Sequence, residues 1–474
     1  MLLKQLLICL FMLPVALGLQ AQEYEIEVKI DHFEGDTLLL GYYFVDKQYL
    51  QDTAYRVDDS FIFSGEDTLA HGLYLLVLPP ANDIYEIIVN EDQNFKVSID
   101  HSEGLKSMKY SGHRENAVFA DYIRLLNVLR PQGDSIRQLL NKTDKGTKAY
   151  EDAERQLAGL SKKIDDYKDN VRRQFPGSVL ELIINAGITP DVPDMEEIED
   201  PEERKKQRFL YYKSHYFDAY DLSDRRLLRT PFFYRKVDEY LEKLTIQVPD
   251  SISATIDYLL EQFSQDEEMF KVHLIQFINK YAQSKIVGFD AVYVHLVDNY
   301  YAKGEAPWVS EEQLNKMMKN SKTLKPILLG KIAPDIELTT RAGDKLSLHD
   351  LKSNFTVLYF WDPDCGHCKK SIPKVVEFYE KFKDRGVEVL AVCTKLTDKV
   401  PECWEAVDDR GMDIWINAAD PYLRSRYKQL YDIRSTPMIY ILDENKEILS
   451  KKISSSQLEE VLTKLIQMKA ENKL

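Results

Sequence analysis

Three changes of hydrophobic pattern along the 474 residues predict a multidomain α+β protein. Residues 22–110 hold short alternating apolar runs, the mark of an N-terminal antiparallel β-sandwich. Residues 111–328 hold helical periodicity, which predicts a middle all-helical domain, and residues 329–474 alternate strand and helix as a C-terminal α/β/α domain does. The length supports the division, because one hydrophobic core rarely organises so many residues. A hydrophobic fraction of 44% and 28 tyrosines exclude global disorder. The formal charge of −16 argues against a nucleic-acid partner, which would demand a basic surface, and suits a soluble, self-repelling protein.

Residues 1–21 read as an address. Lys4 precedes an uncharged apolar run from Leu6 to Leu19, and small residues follow at Ala16, Gly18 and Ala21, the three-part pattern of a secretory signal peptide. The run is short for a bilayer span, so the mature chain is expected to be periplasmic with no membrane span. A lipid anchor fits poorly, since Cys9 lies inside the apolar run and not at the cleavage site. Removal of the segment leaves Cys365, Cys368, Cys393 and Cys403, all in the last quarter of the chain. A disulfide scaffold would spread its cysteines more widely.

In the first region "EYEIEVKID" places Tyr24, Ile26, Val28 and Ile30 on one face of a strand. "TLLLGYYFV", "SFIFSG", "GLYLLVL", "YEIIVN" and "FKVSID" follow, separated by Gly, Asp, Asn and Pro, as strands of a small sandwich do. Beyond "SGHREN" the period becomes helical. Leu157, Leu160, Ile164, Tyr167 and Val171 form a 3-4-3-4 seam, predicting a helical hairpin with Arg114 to Arg130 as the other arm. The charge run Asp194 to Arg208 reads as a solvated loop, and the aromatic segment "FLYYKSHYFDAY" reads as core.

After Gly330 the pattern carries chemistry. "FTVLYFW" is apolar without alternation, as a strand buried on both faces is. Cys365 and Cys368 follow at once, and "KKSIPKVVEFYEKFKDRG" continues as helix. Strand, cysteine pair, helix puts the first sulfur at a helix N-terminus, where the unpaired amides stabilise a thiolate. A structural zinc site would need four ligands, and Cys393 and Cys403 form no second close pair. A purely structural bridge would gain little from closing so short a loop. The redox reading of Cys-x-x-Cys is the strong one, and it needs neither metal nor cofactor.

At these residues the sequence resembles the thioredoxin superfamily, in particular its exported TlpA-like or ResA-like thiol-disulfide oxidoreductases. "FW" before the pair, Pro373 eight residues after Cys365, "VEVLAVCT" and "DIRSTPMIYILDENKEIL" carry the resemblance over about 331–469. It implies a thioredoxin fold for residues 329–474. It also implies a cis proline at Pro437, behind Thr436, whose neighbouring backbone pairs with an extended substrate chain. "DDSFIFSG", with Asp59 where Gly recurs, and "YDLSDRRLLRTPFFYRKVDEYLEKL" resemble the domains of unknown function that precede such modules in Gram-negative envelope proteins.

The resemblance assigns attack on a substrate disulfide to Cys365 and resolution to Cys368. Gly366, His367 and the preceding Trp361 tune the pair. A partly charged His367 imidazole would stabilise the Cys365 thiolate; the alternative is an exposed loop residue. Cys-Gly-His-Cys is also the motif of protein disulfide isomerase, whose potential is about −180 mV. Asp362 and Asp364 are expected to oppose the histidine by raising the thiol. The buried acid of thioredoxin falls at Tyr359, which leaves Glu402 or Glu405 as candidate proton acceptors for Cys368. Cys393 reads most simply as a small core hydrophobe and Cys403 as the start of a helix, with a second disulfide or a relay as the alternative.

Expected partners are the protein thiols and disulfides of the envelope and an upstream thiol electron donor, with reduction favoured over oxidative folding. The rival reading is an envelope partner-binding protein whose redox fold is an appendage. A peroxidase would require a Thr-x-x-Cys pattern that the sequence lacks.

Overall fold

The computed structural model describes residues 24–471, so the predicted export segment lies outside the described residues. The chain forms two compact units, one reaching Tyr240 and one beginning at Leu241.

The first unit opens with β1 (Tyr24–Asp31), β2 (Thr37–Phe44), β3 (Lys47–Tyr55), β4 (Ser60–Gly65), β5 (Gly72–Leu78), β6 (Asp83–Val89), β7 (Asn94–Asp100) and β8 (Lys109–Ser111). They make two four-stranded sheets, ordered β4-β1-β7-β8 and β3-β2-β5-β6. Ile26 and Val28 from one sheet meet Leu38, Leu40 and Leu76 from the other in a shared core that also buries Phe61 and Phe63 completely. Each such side chain contributes roughly 1.5–3 kcal/mol by leaving water. The sandwich is as expected, with two corrections. β1 and β7 pair in parallel, because β7 re-enters its sheet from the other layer; a one-sided strand alternates identically in either direction, so sequence period could not tell. β3 carries no apolar alternation in the sequence, since Lys47 to Gln51 are exposed on both faces as befits an edge strand, and its backbone ladder to β2 holds it.

Helices α1 (Arg114–Lys142) and α2 (Lys148–Gln174) form the expected hairpin. The Tyr122 and Tyr167 rings stack at 5.8 Å, and the Tyr167 hydroxyl donates to the Val118 carbonyl at 2.9 Å. The first arm runs on through Pro131, past the expected end at Arg130. Of the seam residues only Val171 is fully buried; the others are half-covered. α3 (Val179–Asn185) and α4 (Pro201–Ser214) come next, and the charge run is corrected: from Pro201 it is helix. Asp200 caps that helix by accepting the Glu202 amide at 3.0 Å, and proline suits its first turn. The aromatic segment is core only in its second half: Tyr216, Phe217 and Tyr220 are buried and pack on Phe233 and Tyr240 of α5 (Phe233–Lys243), whereas Phe209 and Leu210 on α4 are exposed, which corrects the expectation for that end.

The second unit begins with α6 (Pro249–Phe263), α7 (Glu267–Ala282), α8 (Asp290–Leu296) and α9 (Glu311–Leu324). It continues with β9 (Glu337–Thr340), β10 (Lys345–Ser347), β11 (Phe355–Trp361), α10 (Gly366–Phe382), β12 (Val387–Cys393), α11 (Pro401–Asp409), β13 (Ile416–Ala419), α12 (Tyr427–Leu430), β14 (Met438–Asp443), β15 (Ile448–Lys451) and α13 (Leu458–Ala470). The strands form one seven-stranded sheet, ordered β10-β9-β13-β12-β11-β14-β15. β11 lies inside it, parallel to β12 and antiparallel to β14. Every residue of β11 is buried, which explains its lack of alternation. Val357, Tyr359 and Trp361 pack with α10 and α13 residues, whereas Phe360 on the other face stacks on Tyr427 at 5.4 Å. Gly386 closes the turn into β12 at φ 79°, where a Cβ would lie 2.4 Å from the Asn354 amide nitrogen.

Lys451 on β15 is nearly inaccessible. Its ammonium bonds Asp290 at 2.5 Å and the Ile327 carbonyl at 2.5 Å, joining the sheet to the helices before it. Burial pulls its pKa down and the Asp290 charge pulls it back up. Among the described residues no helix is long and apolar enough to cross a membrane.

Leu358, fully buried opposite Tyr440, tests the inner strand. Leu358→Ala should cost about 3 kcal/mol in urea unfolding of the full chain. Lys370→Ala, on the exposed face of α10, should stay within about 0.5 kcal/mol.

Candidate functional site

The site sits where β11 ends and α10 begins. Cys365 is the residue before the first turn of α10, with extended backbone, and its sulfur accepts the Cys368 amide at 3.3 Å. A thiol thus occupies the capping position normally held by an oxygen, facing the positive end of the helix. In its protonated form the Cys365 thiol donates to the Thr436 carbonyl at 3.2 Å. The Thr436–Pro437 bond is cis, and the loop holding it runs directly into β14.

The two sulfurs are electrostatically unlike. Burial alone would raise the Cys365 thiol, but contacts from Thr436 and Cys368 and the amides of Cys368 and His367 outweigh it, and the net shift is downward. Cys368 is fully buried; burial, then its hydrogen bond to Cys365, pushes its thiol up to about 12. One cysteine is partly open and readily ionised, the other hidden and protonated. Gly366 and His367 are exposed. His367 contributes to the lowering of the sulfur through its backbone amide.

Trp361 is buried beneath the pair and paired with Cys393 across β11 and β12. Cys393 is no simple core hydrophobe. It is joined to Cys403 in a disulfide whose α-carbons lie 6.3 Å apart, and both residues are buried. The bridge pins α11 to the end of β12 next to the redox loop. Sequence could not show it, because a separation of ten residues brings two cysteines together only when the intervening loop folds back.

Glu402 and Glu405 are both exposed whereas Cys368 is fully buried, and Glu402 pairs with Lys395 at 3.3 Å. The place expected for a buried acid holds Tyr359, whose hydroxyl shares a 2.7 Å hydrogen bond with Ser371. Ser371 in turn donates to the Cys368 carbonyl at 3.0 Å. Burial raises the Tyr359 hydroxyl, the nearby Cys368 and Cys365 sulfurs add to the rise, and the Ser371 bond and Arg410 oppose it. Asp362 and Asp364, expected to raise the thiol, both face one cation: Lys395 lies 3.7 Å from Asp362 and contacts Asp364. Arg410 donates to the Pro363 carbonyl at 3.0 Å and fixes the loop from below. Ser371 and Lys395 were not among the expected site residues; Lys395 reaches the loop only through the parallel β11–β12 register, with Cys393 opposite Trp361.

A cysteine pair at this strand-to-helix junction, facing a cis-proline loop, defines the C-terminal part as a thioredoxin-family thiol-disulfide oxidoreductase domain. Residues 329–450 match the AhpC/TSA family and residues 160–325 match a domain of unknown function, DUF5106. The chain is 28% identical over 140 residues to the thiol-disulfide oxidoreductase ResA of Bacillus cereus, covering 29% of this chain and 78% of that protein. It is 40% identical over 63 residues to ResA of Bacillus subtilis, covering 13% and 35% respectively. A domain of a possible thiol-disulfide isomerase from Cytophaga hutchinsonii is 32% identical, with 30% of this chain and 97% of that one covered and a TM-score of 0.29. A thioredoxin-like protein from Bacteroides caccae is 19% identical, with 58% and 97% covered and a TM-score of 0.45. The C-terminal part is accordingly an AhpC/TSA-type thioredoxin-like domain similar to ResA, preceded by a region matching DUF5106.

The opposed thiol shifts set an order of labelling. With the pair reduced and the chain native, iodoacetamide between pH 7 and 9 should add one label, at Cys365, and Cys368 should follow only after denaturation. Cys393 and Cys403 should take label only after denaturation with reductant. Mass-shift mapping of the four sites checks both statements.

Proposed function

We propose that the protein is an exported thiol-disulfide oxidoreductase that reduces disulfides in periplasmic envelope proteins through Cys365 and Cys368. The carrying observation is the asymmetry of the pair: Cys365 partly open with a lowered thiol, Cys368 buried with a raised one. Export rests on the sequence pattern of residues 1–21.

In the forward direction the Cys365 thiolate attacks a substrate disulfide, the substrate S–S bond breaks, and the departing sulfur takes a proton. The mixed disulfide then yields to Cys368, which loses its proton and attacks the Cys365 sulfur, releasing the second substrate thiol. Two electrons and two protons pass to the substrate and the Cys365–Cys368 pair is left oxidised. An upstream dithiol donor must reduce it again. The order suits the thiols: the attacking sulfur is the one whose thiol is lowered, whereas burial first and the hydrogen bond to Cys365 second hold the proton on Cys368, and formation of the mixed disulfide removes the second of these. The family resemblance assigns strand-like pairing with a substrate backbone to the segment beside Pro437, and the neighbouring Thr436 carbonyl lies 3.2 Å from the Cys365 sulfur, which supports that reading.

Two measurements test this reading. Cys365→Ser should abolish reduction of a disulfide substrate such as insulin, and Cys368→Ser should accumulate the mixed disulfide on nonreducing gels; activity surviving in Cys365→Ser would defeat the assignment. The reduction potential of the pair, from equilibration with glutathione, should lie near thioredoxin's, about −270 mV. A value of roughly −120 to −180 mV would instead mark an oxidase or isomerase.

A further inference from the structure

Carboxylates flank the redox loop. Asp362 and Asp364 lie within three residues before Cys365, and Glu402 of α11 shares their cation. All three converge on one ammonium. Lys395 lies 3.7 Å from Asp362 and 3.3 Å from Glu402 and touches Asp364, while only 12% of its side chain is exposed. The backbone brings it there. Thr394 donates its amide to the Trp361 carbonyl at 2.8 Å and its hydroxyl to the same oxygen at 3.1 Å, so the chain leaving β12 stays beside the chain leaving β11. The Cys393–Cys403 bridge then holds Glu402 over the same point.

We propose that Lys395 is a positioning residue for the redox pair, clamping Asp364, Asp362 and Glu402 and keeping their charge from suppressing ionisation of Cys365. The inference rests on Cys365 being the attacking sulfur. Three carboxylates and one ammonium leave the cluster at −2, and removing the ammonium would make it −3. The other groups around Cys365 change less. Lys369 of α10 and Lys399 before α11 sit farther out and act on Asp364, Cys368 and Tyr359 are protonated near neutral pH, Arg410 is held under Pro363, and Thr436 presents a neutral carbonyl and hydroxyl. His367 is exposed and contributes its amide.

Charge bookkeeping gives the test, run on the reduced full chain by following alkylation of Cys365 with iodoacetamide at pH 7 and mapping the label by mass. Lys395→Met should slow the reaction roughly three- to tenfold, the scale of one partly screened charge near a sulfur. Lys395→Arg should stay within about twofold of the native chain, since it keeps the charge. Lys395→Met combined with Asp364→Asn returns the cluster to −2 and should recover most of the rate, and 1 M salt should shrink all differences. An unchanged rate in Lys395→Met, or no recovery in the double variant, would overturn the proposal; the latter would mean that Lys395 only braces the loop. Should Lys395→Met fail to fold, Asp364→Asn alone decides, with a faster rate expected and an unchanged or slower one refuting. Failure here leaves Cys365→Ser inactive, whereas failure of the proposed function leaves Cys365→Ser active, so the two are told apart.

Discussion

A single hydrogen bond organises the redox end of this protein: the Cys368 amide pointing at the Cys365 sulfur, 3.3 Å away. It exists because β11, buried on both faces, has no lateral freedom and delivers the chain at a fixed place, where α10 must begin. The first turn of any helix has amides without intrahelical acceptors, and here one of them spends its donor on sulfur. Charge on Cys365 is thereby stabilised through the backbone, which no side-chain substitution in the motif removes. The same geometry buries Cys368 one turn in, where ionisation is opposed. Position at the helix start and depth of burial together separate the two thiols, with the Thr436 contact adding to the lowering at Cys365.

How much of this was legible follows from how local each signal is. β11 and the helix after it announce themselves, since a run of seven apolar residues followed by Cys-x-x-Cys has few other readings. β3 did not, because an edge strand needs no apolar alternation when a neighbour's ladder supplies its hydrogen bonds. The segment around Pro201 was misread as loop because its charges were weighed and its Asp200–Pro201 start signal was not. The pairing of Cys393 with Cys403 and the convergence on Lys395 depend on which loop ends the sheet brings side by side. That information sits in the parallel register of β11 and β12, which a linear reading does not contain.

Tyr359 shows how the site departs from a buried-acid arrangement. A carboxylate beneath the pair could accept the Cys368 proton outright; a buried tyrosine with a raised hydroxyl cannot, and it serves only as a hydrogen-bonding partner. Tyr359 and Ser371 instead form a neutral chain ending on the Cys368 carbonyl, which fixes the first turn of α10 without adding charge. Near a sulfur that must be negative in one state and neutral in the next, a neutral brace is indifferent to the change.

The acidic residues lie elsewhere, on the solvent side of the loop, and this placement is consistent with the same electrostatic logic. Negative charge against the sulfur would suppress the thiolate, but charge held by Lys395 is largely spent locally and decays quickly through water. What remains is a carboxylate-lined rim around a helix-stabilised sulfur. Under the proposed function, a substrate disulfide flanked by basic or neutral residues meets less repulsion at that rim than one flanked by acids. Selectivity and reactivity then draw on the same few charges, and Lys395 sits where both can be adjusted without touching either cysteine.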